Sequence, residues 1–436
     1  MKRVLAPIAL MVVTAAATAT HASTFRVPEE YATIQAAIDV AASGDSVLVG
    51  PGTWTPETRS IVICSNLVTS TSVMFLKPGI TVIGTAGPEA TILDGGSPSP
   101  NSVNTLIMES VEGDPVRVEG FTITGEDEGL VWGCSGTHLE LVNCHLVDNG
   151  DIAIVSRDGR VFLTDCVVSG NGWIQDSGSP QHAVFLGDGG RFEATGTRFE
   201  GNVHGAISAS NITALIIDDC QFVDHAERGA IGAGGVALVS VKNSLFLRNR
   251  VRGSGIWGGA VGIGQALNAT VEFCTFAYDS ALAGQVGGLF LGPDVTATVR
   301  NNTFYRCFTP FRGGAIGVSG IATVSGNVAV ECEGAAFAAY SGSNIEVGSG
   351  CNILWNETNY HQWPPEAMAS DVIGDPQFCA PDLEDFTVRD SSPASEVNSG
   401  GCGQIGAHGV GCGSVSITPS TWGSIKSRFR GTVESR

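Results

Sequence analysis

Basic residues are scarce in this sequence. Lysine and arginine number 23 against 43 aspartate and glutamate residues, which gives a formal net charge of −20 at neutral pH. So acidic a chain repels phosphate backbones, which argues against nucleic-acid binding and against unaided binding of other polyanions. Long apolar runs are also lacking, because the run from Val4 to Val13 is too short to span a bilayer. We therefore expect a soluble protein with no nucleic-acid partner and no transmembrane segment.

The N-terminus has the order of a secretory signal. Lys2 and Arg3 precede the apolar run, and small residues then lead to Thr20-His21-Ala22, a cleavage site after about Ala22. No cysteine directly follows that site, which argues against a lipid anchor there. Residues 1–22 are therefore predicted to be a signal peptide, and the mature chain is expected to be a monomer that is secreted or held at the cell surface.

A helical periodicity is missing between Val116 and Cys351, where one short pattern recurs instead. The copy Leu139-x-Leu141-x-x-Cys144-x-Leu146 shows its form, and a second short apolar segment precedes each copy. Alternation at period two indicates strands with one inward face, and the break before the small position indicates a sharp bend. That position recurs every 22 to 31 residues, at Cys144, Cys166, Thr197, Cys220, Ser244, Cys274, Asn302 and Asn327.

This repeat predicts an all-β solenoid. Roughly 24 residues with three short strands is the size of one coil of a parallel β-helix. A single coil cannot bury its apolar face, so stacking of coils must stabilise the fold. We expect parallel strands from about Val47 to Val388 in a single domain, residues 23–413.

Eight of the twelve cysteines fall into two groups. Cys144, Cys166, Cys220 and Cys274 occupy the small position, so they would stack at about 4.8 Å, more than the ~3.8 Å that a disulfide prefers between Cβ atoms. They are interpreted as buried small hydrophobic residues rather than as bridges or metal ligands. The better disulfide candidates lie outside the repeat, and their connectivity is left open: Cys351, Cys379, Cys402 and Cys412.

Both ends of the solenoid are predicted to differ from its middle. Residues 23–45 form an N-terminal cap, because Ile34, Ala37, Ile38 and Ala41 recur at helical spacing before the stop at Ser43-Gly44. The repeat changes near Asp371, so residues 371–413 are expected to close the other end. Residues 414–436 form a polar, basic tail that is expected to lie outside the solenoid.

Several motifs resemble those of pectin-lyase-like right-handed parallel β-helix proteins. The N-terminal stretches Tyr31-Ala32-Thr33-Ile34-Gln35-Ala36-Ala37-Ile38-Asp39 and Gly44 to Trp54 are similar to their first coil. Leu76 to Gly84 resembles the coils that follow, and Asp375-Pro376-x-Phe378 with Asp385 to Val388 is similar to a common C-terminal module. The resemblance implies the right-handed fold. It says little about chemistry, because such proteins include lyases, hydrolases, esterases, epimerases and non-catalytic surface proteins.

No catalytic motif of that group is present. A pectate-lyase-like site would need clustered aspartates for calcium and an arginine base, and no block matches. Asp218-Asp219 and His204-Gly205 are superficially similar to a polygalacturonase site, but their order is reversed and the accompanying blocks are missing. An aspartate before Cys220 is explained by turn formation. No metal or cofactor is predicted, and calcium, although compatible with an acidic surface, has no ligand set to support it.

The sequence places its candidate ligand-binding residues at loop insertions. Residues 172–181, 250–258, 280–287 and 307–312 lengthen successive coils just before the second strand, so they should stack along one edge. Exposed tryptophan and arginine on a groove suit carbohydrate, although the tryptophans could instead fold back over their own loops. We expect a non-catalytic carbohydrate-binding or adhesin-like protein; a polysaccharide lyase or glycoside hydrolase is the alternative. The candidate residues are Trp173, Asp176, His182, His204, Arg228, Arg250 and Trp257.

Overall fold

Parallel strands stacked in coils make up most of the chain. The computed structural model describes residues 22–63, 66–96, 106–108, 113–125, 132–133, 136–150, 152–172, 182–253, 258–346 and 348–412. Within these ranges almost every strand pairs in parallel with strands of the coils before and after it. Each coil contributes up to three strands, here called face 1, face 2 and face 3 in chain order. No helix in the described part of the chain is long and apolar enough to cross a membrane.

The strands of the three faces have the following bounds. Face 1 contains Trp132–Gly133, Ile154–Arg157, Val184–Gly187, Ile207–Ser210, Ile231–Gly234, Phe308–Val318, Glu333–Ala339 and Thr358–His361, with Arg250–Val251 and Ser280–Ala281 just before it. Face 2 contains Thr24–Val27, Ser46–Val49, Thr81–Gly84, Val116–Glu119, His138–Val142, Arg160–Thr164, Arg191–Thr195, Ala214–Asp218, Val236–Lys242, Ile321–Ser325 and Asn344–Ile345. Val261–Glu272 and Leu289–Arg300 run through faces 1 and 2 without a break. Face 3 contains Gly52–Trp54, Thr91–Asp94, Thr122–Thr124, His145–Val147, Val167–Ser169, Arg198–Glu200, Gln221–Val223, Leu245–Leu247, Thr275–Ala277, Thr303–Tyr305, Val328–Val330, Ile353–Trp355 and Val372–Ile373. Met74–Leu76 and Leu106–Met108 pair with each other.

Alternating side chains build the core, as the repeat predicted. In Arg160–Thr164 the residues Val161 and Leu163 are buried, whereas Arg160 and Thr164 are exposed. The parallel register places identical positions above one another, so the inward side chains of successive coils stack. The clearest stack consists of phenylalanine rings whose centroids lie 4.6 to 4.8 Å apart, at Phe199, Phe222, Phe246, Phe276 and Phe304.

The corners between faces 2 and 3 need a left-handed backbone. Asn143, Asp165, Asp219 and Asn243 all have φ between 48° and 53° at this corner. Asparagine, aspartate and glycine tolerate that conformation better than other residues. Asp219 is therefore a corner residue, as the sequence predicted from its position.

The predicted cysteine stack is present and fully enclosed. Cys144, Cys166, Cys220 and Cys274 are free thiols with no more than 1% of their surface exposed. Each thiol donates to a main-chain carbonyl, for example Cys220 Sγ to the oxygen of Ala194 at 3.3 Å. In later coils the same small position is occupied by asparagines, which link one coil to the next through their side-chain amide groups. They are Asn302, Asn327 and Asn352.

A second ladder, which was not predicted, lies five residues after the first. Its buried members are joined by side-chain bonds such as Asn149 Nδ2 to Asn171 Oδ1 and Asn249 Nδ2 to Asp279 Oδ1, both 2.9 Å. Cys307, which the sequence placed in a loop insertion, continues this ladder and is buried. The ladder comprises Asn149, Asn171, Asn202, His225, Asn249, Asp279, Cys307 and Cys332.

The short N-terminal capping helix is confirmed. The helix α1 spans Ile34–Val40, and Thr33 caps it by accepting a hydrogen bond from the backbone N–H of Ala36 at 3.1 Å. Ile34, Ala37 and Ile38 are buried against the first coils. An antiparallel hairpin, Glu57–Ile63 with Asn66–Ser72, was not predicted.

The C-terminal end differs from the prediction. The parallel stack ends at Val372–Ile373, and Phe378–Ala380 pairs with Asp385–Val388 in antiparallel fashion. Two short 3₁₀-helices, Pro365–Met368 and Pro381–Leu383, flank this change. Residues 375–412, here called the C-terminal segment, pack sideways on face 3, burying one apolar cluster with Val223, Leu247, Ala277, Tyr305, Phe386, Val388, Ala394 and Ile405.

Two disulfides fix the C-terminal segment. Cys351 bonds to Cys402 and Cys379 bonds to Cys412, so all four candidates from the sequence are paired. The first bridge ties the segment to the solenoid, and the second closes it on itself. The predicted signal peptide up to residue 21 and the basic tail lie outside the described residues.

Candidate functional site

Only part of the predicted insertion edge lies within the residues that the structure describes. Trp173, Asp176 and Trp257 lie outside the described residues. The remaining candidates meet at one corner, just before the strands of face 1. The backbone N–H of Arg250 donates to the oxygen of His225 at 2.7 Å, which brings Arg250 beside the loop that carries Arg228.

His182 is enclosed at this corner. Its side chain is only 7% exposed, and its Nε2 makes no hydrogen bond within the described structure. Burial, with smaller contributions from Arg228, His225 and His204, lowers the pKa of His182 to about 3. The ring lies over Gly205, where an added Cβ would come within 2.6 Å of His182 Cδ2. His182 is therefore a neutral packing group at neutral pH.

The other three residues of this edge differ in exposure. His204 is 8% exposed, and its pKa is lowered by burial and by Arg228, against the opposing charge of Glu227. Arg228 is half-buried and Arg250 is exposed. Ligand binding at the edge stays a prediction, and among its four described candidates the accessible groups are the two arginines.

An open cleft lies at the neighbouring corner, where face 1 turns into face 2. Its volume is about 800 Å³. Five successive coils contribute to it through the first residues of their face 2 strands and through the turns before them. Its lining residues are Gly113, Gly136, His138, Asp158, Gly159, Arg160, Phe162, Gly189, Gly190, Arg191 and Thr213.

The strand register aligns three basic side chains in this cleft. His138 pairs with Arg160, and Arg160 pairs with Arg191, so the three lie in one column across adjacent coils. Arg191 Nε lies 2.5 Å from Glu193 Oε1, which holds that guanidinium along its own strand. Arg160 is exposed and makes no ion pair with any described residue. Among the described lining residues of the cleft, Arg160 is therefore the cation that is not engaged in an ion pair.

His138 and Phe162 form an aromatic wall next to Arg160. Their ring centroids are 4.8 Å apart with the planes tilted by 37°. His138 Nε2 also lies 3.5 Å from Glu140 Oε1. Burial lowers the pKa of His138, with Glu140 opposing and Arg160 adding to the shift. The histidine is therefore mostly neutral at pH 7 and presents a ring rather than a charge.

Glycines keep the cleft open. A Cβ on Gly190 would lie 2.6 Å from the oxygen of Gly159, so no larger residue fits where the two turns stack. Gly189 has φ of 101°, a conformation that side chains rarely adopt. The turns therefore carry little bulk, and the long side chains of the neighbouring strands border an open space.

Comparison with known proteins agrees with this architecture. Residues 182–353 match the family model described as a right-handed β-helix region. This match covers fewer than half of the residues of the chain, and it supports the right-handed β-helix fold. No curated protein matches it significantly.

Two solved structures resemble the β-helix in outline. A crystal structure of pectate lyase Pel9A has 14% sequence identity and a TM-score of 0.47, over 86% of this chain and 90% of that chain. A rhamnogalacturonan lyase has 12% identity and a TM-score of 0.37, over 82% of this chain and 91% of that chain. At such low identity the likeness concerns the fold alone.

The cleft was not predicted, although the sequence contains a signal for it. His138, Arg160 and Arg191 each stand immediately before the first apolar residue of three successive repeat copies. Because every copy aligns with the next, equal positions in consecutive copies must meet on the surface. Among the described residues no group of three histidine, cysteine or acidic side chains converges in a way that could hold a metal ion.

Proposed function

We propose that this β-helix is an exported, monomeric carbohydrate-binding protein without catalytic activity, and that its ligand lies in the cleft around Arg160. The observation that carries the proposal is an exposed arginine with no ion pair in the described structure, beside the aromatic pair His138 and Phe162 in an 800 Å³ cleft. A sugar ring has an apolar face for an aromatic wall and polar groups for a guanidinium. A guanidinium also binds a carboxylate through two parallel bonds.

The charge distribution favours a ligand with an isolated acidic group. The chain as a whole carries a net charge of −20, so a densely charged polymer is repelled over most of the surface. Arg160, in the column of His138, Arg160 and Arg191, is a local exception because it has no ion pair with a described residue. An acidic sugar unit held at this column, with neutral units on either side, satisfies both conditions.

The test is a binding measurement on the mature chain with a panel of acidic and neutral oligosaccharides. We expect calorimetry to show binding of an acidic oligosaccharide, weakened about tenfold or more in Arg160→Ala because a charge-assisted contact is lost. Arg389→Ala, an exposed arginine in the C-terminal segment, is the matched control and should bind as the unmodified chain does. Equal affinity in both variants would contradict the cleft as the binding site.

The enzyme alternative is tested in the same samples. Reducing ends and unsaturated products are measured after long incubation with each oligosaccharide. We expect neither. Products that appear with the unmodified chain and disappear in Arg160→Ala would show a polysaccharide-active enzyme in place of a binding protein.

A further inference from the structure

A second cavity lies at the N-terminal end of the β-helix, away from the cleft. Its volume is about 330 Å³. It is enclosed by the residues around the start of α1, by the face 3 strand Gly52–Trp54 and by the first residues of the hairpin Glu57–Ile63.

The inner part of this cavity is apolar and aromatic. Ile34 and Val73 are buried, with 2% and 4% of their surface exposed. Trp54 is half-buried and packs against the core, and its indole N–H donates to the oxygen of Gly50 at 3.4 Å. These contacts hold the indole ring in place, so the cavity presents a preformed aromatic wall.

The rim of the cavity is polar, and its side chains have no partner in the described structure. Thr53, Thr55 and Glu57 are exposed, and none of their side chains has a hydrogen bond or an ion pair in the described structure. Glu57 is the charged group of the lining, which contains no cation. Gln35 also lines the cavity, but its amide is committed to the backbone of Phe75, with bonds of 2.7 and 3.3 Å.

We propose that this cavity binds one neutral sugar ring. The apolar face of the ring would lie on Trp54, and adjacent hydroxyl groups would donate to the carboxylate of Glu57 and exchange hydrogen bonds with the threonine hydroxyls. A volume near 300 Å³ is at the small end of ligand pockets, which suits a single ring better than a chain. A carboxylate with no cation beside it repels acidic sugars, so this ligand differs in charge from that of the cleft.

The experiment titrates the mature chain with the methyl glycosides of glucose, galactose, mannose and xylose, followed by calorimetry. We expect saturable binding of at least one of them. Glu57→Gln should weaken that binding about tenfold or more, because a charge-assisted hydrogen bond becomes a neutral one. Trp54→Phe, which keeps an aromatic residue against the core, should weaken it less. Glu366→Gln, an exposed glutamate elsewhere, is the matched control.

Three results would overturn the proposal. They are no binding of any of the four glycosides, binding that Glu57→Gln leaves unchanged, and binding that Arg160→Ala abolishes, which would place the sugar in the cleft. Arg160→Ala separates the two sites. If it removes acidic oligosaccharide binding but not methyl glycoside binding, both sites stand, and each can fail without the other.

Discussion

The hydroxyl of Thr275 lies 2.6 Å from Nε2 of His408, although 133 residues separate them in the chain. Thr275 points outward from face 3, and His408 belongs to the C-terminal segment that covers this face. Arg248 and Glu384 add an ion pair of 2.9 Å across the same boundary. The segment is therefore docked by specific polar contacts as well as by its apolar cluster.

Docking of this segment should depend on pH through His408. Burial, against the opposing charge of Asp385, lowers the pKa of His408 to about 4, whereas an unfolded histidine has a pKa near 6.5. The folded state resists protonation, so this stability is full above pH 6.5 and is lost as the pH falls towards 4. His408→Gln removes the titration. We expect the difference in unfolding free energy between the two proteins to change by up to about 3 kcal/mol across that window.

Chemical denaturation at a series of pH values measures this difference. The pKa values of His182 and His225 are lowered too, to about 3 and about 4, but both residues are present in both proteins and cancel in the comparison. Parallel stability curves for the two proteins from pH 7 to pH 4 would show that His408 is not held in its neutral form.

The sequence predicted the coils well because the alternation of apolar residues in the repeat indicates which side chains face inward. It did not predict where the C-terminal segment lies, because that depends on outward positions of face 3. Those positions change along the stack, from Ser169 and Glu200 in the earlier coils to Val223 and Leu247 beneath the segment. An inward pattern is shared by every coil, whereas an outward apolar patch is visible only when neighbouring coils are compared.

The site was harder to predict for a related reason. The sequence identified residues whose types suit binding, but it could not tell that His182 would be enclosed over Gly205. Arg160 was not among the residues that the sequence identified. Its lack of a partner among the described residues, and the empty space beside it, come from the glycine turns of adjacent coils and appear only in three dimensions.

Asp279 should destabilise the folded protein at neutral pH. It is fully buried, and burial raises its pKa to about 8, against about 3.8 in an unfolded chain. The stability that its protonated form gives is complete below pH 3.8 and is lost as the pH rises through 8. Asp279→Asn can accept the same bonds from Asn249 and continue the ladder. We expect its advantage over the unmodified protein to grow by on the order of 3 kcal/mol between pH 4 and pH 7.

Denaturant titrations at both pH values test the Asp279 prediction, with Asp279→Ala as the control. Alanine leaves the side chain and backbone N–H of Asn249 without their acceptor, which lies at 2.8 to 2.9 Å in the structure. That variant should be less stable than Asp279→Asn at every pH. An advantage of Asp279→Asn that does not vary with pH would contradict a buried protonated carboxyl.

Gly259, at the corner before face 1, should not tolerate a side chain without a loss of stability. A Cβ on Gly259 would lie 2.1 Å from the oxygen of Gly287 in the next coil, so Gly259→Ala must separate two stacked backbones. We expect it to lower the unfolding free energy by about 3 kcal/mol. Gly234→Ala is the matched control, because nothing lies within 4 Å of its added Cβ, and it should change stability by less than about 0.5 kcal/mol. Thermal unfolding of both variants that gave equal losses would argue against this packing.

The stacked thiols should be unreactive until the protein unfolds. Burial raises the pKa of Cys144 to about 11 and that of Cys220 and Cys274 to about 12, so almost no thiolate exists at pH 8. A thiol reagent should label them only in denaturant, with mass spectrometry locating the label. Cys166→Ser should fold with a modest loss, whereas Cys166→Asp buries an unpaired charge and should be severely destabilised. Rapid labelling of the native chain at these positions would mean that the coils open far more readily than their packing implies.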